Sequence, residues 1–308
     1  MSKSVWAISD GAAGNERQAC ALASRLGDIT ATLRVRPRWP WASLVPQFSP
    51  VLAASAWRDP WPSPWPEIAV GAGRLGAGAL LTIRRAAPTR TVQILDPRID
   101  TARFDVVVAP THDGLRGDNV VQSLGSLHDI NDAWLKRERI AHAPLSRLAS
   151  PRTVILLGGP RRGVTINAAS FTRLTNIVEG WRRHGTLLLI ASRRTPADWL
   201  RALDAIHCDL RWSSEADGPN PYRGALAWGD RFIVTADSVN MQSEALSTGK
   251  PVYSLCEKVP LGKLGDFHRE LVETGRLRPL RAEPAQWRYQ PLRELDRVAT
   301  EVTALLAR

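Results

Sequence analysis

The segment RFIVTADSVNMQSEALSTGKPVYSL, residues 231–255, runs an apolar stretch into Ala-Asp-Ser and then into a short helical pattern that Gly249 and Pro251 close. Asp237 or Ser238 is the natural N-cap of that helix. Beyond the cap, the backbone N–H groups of Ser238, Val239, Asn240 and Met241 and the helix dipole favour an anion. Asp237, Asn240 and Glu244 stand at helical offsets 0, 3 and 7, which is one stripe. A carboxylate two turns in, in line with an anion-binding end, can accept two hydrogen bonds from a ribose diol. An ordinary capped helix with an exposed glutamate uses the same residues, and this segment alone leaves both readings open.

Other segments carry related chemistry. SRRTP, residues 192–196, ends an apolar run and opens a helix near Pro196. Ser192, Arg193 and Arg194 could neutralise a diphosphate there without a metal ion, or be a solvated polar loop. In LLGGPRRG, 156–163, Gly158 and Gly159 let backbone approach a ligand closely, or simply make a tight turn. Polar groups also converge in SDGAAGNERQ (9–18), with Asp10 and Gly14, and in PTHDG (110–114), with His112 and Asp113. Both loops follow predicted strands, where wound α/β sheets bind ligands. Asp10, His112 or Asp113 could be a general base, and each could equally cap its own loop. His128, in GSLHDIND, is a further candidate of the same kind. Gly71, Gly73 and Gly76 match the G-x-G-x-x-G dinucleotide fingerprint, with Asp96 20 residues after Gly76. That match points to a nicotinamide-linked reading, although the strand before it is short and is not the first of the chain. No D-x-D pair, P-loop, G-x-S-x-G or H-E-x-x-H occurs, and no metal site is expected.

Short apolar runs alternating with amphipathic segments must position these loops. Strands are predicted at 4–8, 67–70, 91–95 and 104–109, with helices at 15–26 and near 75–85. The rhythm restarts after Ser150-Pro151. Strands then fall at 152–157, 186–191, 231–236 and 251–255, and helices at 168–184, 196–206 and 240–248. Such βα alternation predicts parallel wound sheets. The chain's 308 residues suit two domains. The expected division is 1–148, 149–290 and a C-terminal helix, 291–308, packing back on the first domain. Residues 37–66 break the pattern with eight prolines and five of the twelve tryptophans. They make either an interfacial loop facing a membrane or acceptor, or an irregular crossover with its tryptophans packed on the domain.

The net charge is +11, almost all of it arginine, since only five lysines occur. The planar guanidinium suits phosphate and carboxylate, although net charge speaks to association and not to fold. Three cysteines without a C-x-x-C pair argue against a disulfide framework or structural zinc and fit a reducing, cytoplasmic setting. The first residues lack the apolar run of a signal peptide. No segment reaches the roughly 18 apolar residues of a membrane span; attachment to a membrane surface stays open.

Taken in order, SDGAAGNERQ, LDPR (95–98), FDVVVAPTHDG, GSLHDI, LLGGP, SRRTP and NPYRGALAWGDRFIVTADSVNMQSEALSTGKPVY resemble the Elm-type (elongated mitochondria) mitochondrial fission family, bacterial branch, over residues 4–256. Plant members are associated with recruiting a dynamin-related GTPase to the outer mitochondrial membrane, which implies a non-catalytic adaptor. The last block is also similar to the donor-binding helix of GT-B glycosyltransferases. That likeness implies an α/β protein of two Rossmann-like domains facing across a cleft. It implies a nucleotide-diphosphate sugar as substrate, no cofactor, Ser238 to Met241 at the phosphates and Glu244 at the ribose. Gly158, Gly159, Arg193 and Arg194 would stand beside them, and the first domain would hold the acceptor and the base. A lipid-linked or cell-envelope acceptor suits the basic surface and the tryptophan-rich loop, with the protein cytoplasmic or peripheral at the inner face of the membrane. No nucleic-acid partner is expected. Bacterial relatives are often labelled nucleoside-diphosphate-sugar epimerases; an NAD-linked one needs a complete N-terminal fingerprint, which SDGAAGNERQ does not supply.

Overall fold

A computed structural model describes residues 2–47 and 54–308, so residues 48–53 of the Trp/Pro-rich segment lie outside the described residues. The chain forms two compact units, Met1–Asp129 with Arg293–Arg308, and Ile130–Leu292.

The first unit begins β1 (Ser4–Ser9), α1 (Ala13–Leu26), β2 (Asp28–Arg34) and the single turn α2 (Trp41–Leu44). It continues with β3 (Ile68–Ala72), α3 (Gly73–Ala86), β4 (Arg90–Ile94), β5 (Val106–Pro110) and β6 (Val120–Ser123). Its six parallel strands are ordered β2-β1-β3-β4-β5-β6. Alternate side chains serve opposite faces. Val5 and Ala7 join the core under α1, whereas Trp6 and Ile8 join the one under α3. Strands covered on both faces read as unbroken apolar runs, which is why Val106–Ala109 is fully buried.

The second unit contains α4 (Asp132–Ala141), β7 (Arg152–Leu157), α5 (Ala168–Arg182), β8 (Thr186–Ala191), α6 (Ala197–Ala202) and β9 (Leu210–Trp212). After these come α7 (Tyr222–Trp228), β10 (Arg231–Thr235), α8 (Val239–Leu246), β11 (Val252–Leu255), α9 (Lys263–Glu273) and β12 (Leu277–Pro279). The parallel order is β12-β11-β10-β7-β8-β9. Helix α4 precedes the turn-rich stretch HAPLSRLASP, yet its partners lie in this unit. Arg223 meets buried Glu138 at 2.5 Å, and Arg139 donates to the Ala227 carbonyl at 2.8 Å. The last helix, α10 (Leu295–Leu306), belongs to the first unit, where Leu295, Val298 and Val302 enter the core with α1.

Some expected elements change. The helix at 196–206 shortens to Ala197–Ala202, because the chain turns over residues 203–206 and drops Leu203 and Ile206 into the core. Strands β2, β6, β9 and β12 and helices α4, α7 and α9 were not expected. Each of those four strands is short or lies at a sheet edge, and β2 is largely exposed. In the described part of the Trp/Pro-rich segment the tryptophans divide between core and surface. Trp61 stacks on Trp6, Trp65 packs tilted against both, and Trp57 meets Trp61 edge-on, while Trp39 is 88% exposed.

Candidate functional site

In a wound sheet, ligands bind outside the carboxyl ends of the strands where the winding reverses. In the second unit the winding reverses between β7 and β10, since β8 and β9 are laid on one side and β11 and β12 on the other. Three of the segments singled out from sequence converge there or on the next strand: GlyGly after β7, SRRTP after β8 and Ala-Asp-Ser after β10.

Their contacts are specific. Gly158 N–H donates to Thr235 Oγ1 at 2.7 Å, and Gly159 N–H to Asp237 Oδ2 at 2.9 Å. Arg194 Nη2 donates to the same Asp237 oxygen at 2.8 Å, and Arg161 Nη1 to the Asp237 carbonyl at 2.8 Å. Ser192 Oγ donates to the Gly158 carbonyl at 3.0 Å, tying the loop after β8 to the loop after β7. Arg193 is exposed and makes no side-chain hydrogen bond or ion pair among the described residues. Asp237 itself is 0% exposed.

Ser238 is the N-cap of α8, its Oγ accepting from Met241 N–H at 3.3 Å. The helix therefore starts at Val239, and Asp237 stands outside it. This corrects the expected stripe. Only Asn240 and Glu244 share the helix, while the Asp237 carboxylate turns down onto Gly158, whose absent Cβ would lie 2.2 Å from Asp237 Oδ1. Val239 and Asn240 keep their first-turn N–H groups outside the intrahelical ladder. Glu244 is 4% exposed and accepts from the Tyr222 hydroxyl. Sequence reasoning left Tyr222 without a role, although NPYRG was among the family blocks. Its signal was an aromatic hydroxyl at a helix start. A cavity of about 310 Å³ opens beside the GlyGly loop, lined among others by Arg161, Arg162, Val164 and Trp199.

In the first unit the winding reverses between β1 and β3. Asp10 and Gly14 lie after β1. Asp10 Oδ1 accepts from Ala12 N–H at 2.9 Å and from Asn15 Nδ2 at 3.1 Å. His112 and Asp113 sit in a single turn after β5. Strands β1 and β5 are three places apart, about 14 Å, so Asp10 is not brought together with them. His128 is buried. The G-x-G-x-x-G glycines form a strand-turn-helix whose lack of side chains is used in packing. A Cβ on Gly71 would lie 2.8 Å from Leu80, one on Gly76 3.0 Å from the Gly71 backbone, and Gly73 takes φ 72°. Asp96 accepts from Arg98 N–H at 2.8 Å and so closes its own turn.

The comparisons with known proteins agree with this architecture. The family model described as Mitochondrial fission ELM1 matches residues 13–306. The Mitochondrial fission protein ELM1 of Arabidopsis thaliana is 32% identical over 284 residues, covering 81% of this chain and 66% of that protein. The chain thus spans just under two thirds of that relative's length. Among solved structures, the UDP-GlcNAc 2-epimerase of Methanocaldococcus jannaschii superposes with a TM-score of 0.58 at 12% identity, covering 99% of this chain and all of that one. The spinosyn forosaminyltransferase SpnP gives 0.53 at 14% identity, over 99% and 93%. At such identities the likeness is one of fold, and the fold is α/β with two Rossmann-like units, GT-B-like as expected. With nearly its whole length matched by the family model, the chain belongs to the Mitochondrial fission ELM1 family.

Proposed function

We propose that the second unit binds a nucleotide-diphosphate sugar and that the protein is a metal-independent, glycosyltransferase-type enzyme. The observation that carries this reading is the convergence at the β7/β10 switch point of Arg161, Arg194, the GlyGly backbone and the open end of α8, with Glu244 two turns along the same helix. The guanidinium groups and helix terminus would take up charge on a leaving diphosphate, which is where preorganised donors lower a barrier. Glu244 would accept from the ribose, with Tyr222 as the positioning residue that holds its carboxylate. Ser192 and Asp237 position the loops. Of the three candidate bases, Asp10 stands at the first unit's own switch point and leads; His112 and Asp113 stand farther along the sheet edge. A lipid-linked or envelope acceptor, reached from a peripheral position on a membrane, fits the basic surface.

The test is a thermal-stability titration of the intact protein with UDP, GDP, CMP and NAD. Binding to the native state raises the midpoint by mass action. A shift with one nucleoside diphosphate, lost in Glu244→Ala and reduced in Tyr222→Phe, is the expected result. A saturating shift with NAD alone would sink the proposal in favour of a nicotinamide-linked epimerase. A second reading is favoured by the family itself: a non-catalytic adaptor of the fission type that keeps the fold. Absence of any nucleotide response, with the protein folded, selects it.

A further inference from the structure

The first unit carries a second chemically distinctive surface, separate from the loops after β7, β8 and β10. Residues 36–38 and 56–58 form a short antiparallel ribbon. Arg58 N–H donates to the Arg36 carbonyl at 2.9 Å, Arg38 N–H to the Ala56 carbonyl at 2.7 Å, and Pro37 pairs with Trp57. Pro37 and Trp57 turn inward and are buried; Trp57 donates to Thr82 at 3.1 Å and meets Trp61 edge-on. The neighbouring positions therefore face out. Arg36, Arg38 and Arg58 are exposed, and the ribbon sets Arg36 directly opposite Arg58. Like charges opposed across a ribbon repel unless something anionic covers them.

No acidic side chain among the described residues does so. Arg36 and Arg58 make no side-chain hydrogen bond or ion pair among the described residues, and neighbouring Asp59 forms none with them. Arg34 is different, since it is paired with Glu16 at 2.9 Å. Directly after Arg38 comes the turn closed by Trp41 N–H on the Arg38 carbonyl at 2.8 Å, and it holds Trp39 out at 88% exposure. Four tryptophans nearby are packed together, so this one is left out selectively.

We infer that this ribbon and its turn dock on an anionic lipid bilayer, Trp39 entering the interface and the three arginines pairing with lipid phosphates. Charge complementarity favours an anionic partner. An indole on a hydrogen-bonded turn beside guanidinium groups suits the headgroup layer, where tryptophan is enriched. Each arginine near such a surface is worth about fivefold in partitioning, and the attraction is screened by salt.

The experiment is flotation of the intact protein with vesicles of phosphatidylcholine containing phosphatidylglycerol, against pure phosphatidylcholine. Expected are binding to the anionic vesicles only, loss with added salt, and a drop of about fivefold for each of Arg36→Gln and Arg58→Gln. Trp39→Ser should weaken binding while leaving the thermal midpoint unchanged, because the side chain is exposed. Equal flotation of Trp39→Ser and the parent overturns the inference. So does equal binding to neutral vesicles, capture by a duplex oligonucleotide in place of vesicles, or self-association removed by Trp39→Ser. No nucleotide enters this assay, so its failure is distinguishable from failure of the site on the second unit.

Discussion

Asp237 is wholly buried, yet only its Oδ2 is bonded, to Gly159 N–H and Arg194; Oδ1 lies against Gly158 and has no hydrogen-bond partner among the described residues. In the proposed site a carboxylate beside a phosphate would repel it, so Asp237 would serve by fixing the GlyGly loop and aiming Arg194. The fit is tight enough to test. In Gly158→Ala the new methyl would meet the carboxylate at 2.2 Å. Overpacking of that kind costs about 1–3 kcal/mol, read as a lower denaturation midpoint in urea. Gly158→Ala with Asp237→Ala should be less unstable than the two single losses summed, by about 1 kcal/mol, as for side chains in contact. Strict additivity would show that the two do not touch.

At the scale of elements, α9 is fastened to β11 by His268, 5% exposed, whose Nε2 lies 2.6 Å from Ser254 Oγ. Burial pushes the His268 imidazole down from 6.5 to about 4. The folded state therefore holds it neutral, while the unfolded chain protonates it near 6.5. Stability from this group is present above that value and is lost as pH falls from about 6.5 through 4. Between pH 7.5 and 5 the loss should be about 2 kcal/mol. Urea unfolding at both pH values, on the parent and on His268→Gln, checks this. The variant should lose that much less on acidification, and identical pH responses would refute the assignment.

For the whole molecule, the chain leaves its first unit at Asp129 and returns at Arg293. The last helix is thus a required layer of a core whose other elements all precede Asp129. Val298 and Val302 are 0% exposed within it. Val298→Ala removes buried methyl groups and should cost about 2 kcal/mol. Val302→Asp buries a charge with no partner and should open the first unit. Hydrogen exchange reads both: amides of β5 and β6 should exchange faster, while those of β7 and β10, which have their own core, keep their protection. Faster exchange throughout would show the two cores to be one cooperative body.

The sequence by itself determined the strands at the centres of both sheets, because residues covered on both faces must all be apolar and so leave an unbroken run, as in Arg152–Leu157. It also marked GlyGly, SRRTP and Asp-Ser as loops at strand ends, since each ends such a run. Edge elements stayed illegible. Strand β2, DITATLR, is mostly exposed, and β9 and β12 have three residues each; little burial leaves little pattern. Only the tertiary structure decided which loops meet. Winding order puts the ends of β7 and β10 side by side and separates Asp10 from His112. It also turned Asp237 inward onto Gly158 and set Tyr222 on Glu244. Those contacts join residues 22 to 79 positions apart, a distance over which local propensity carries no information.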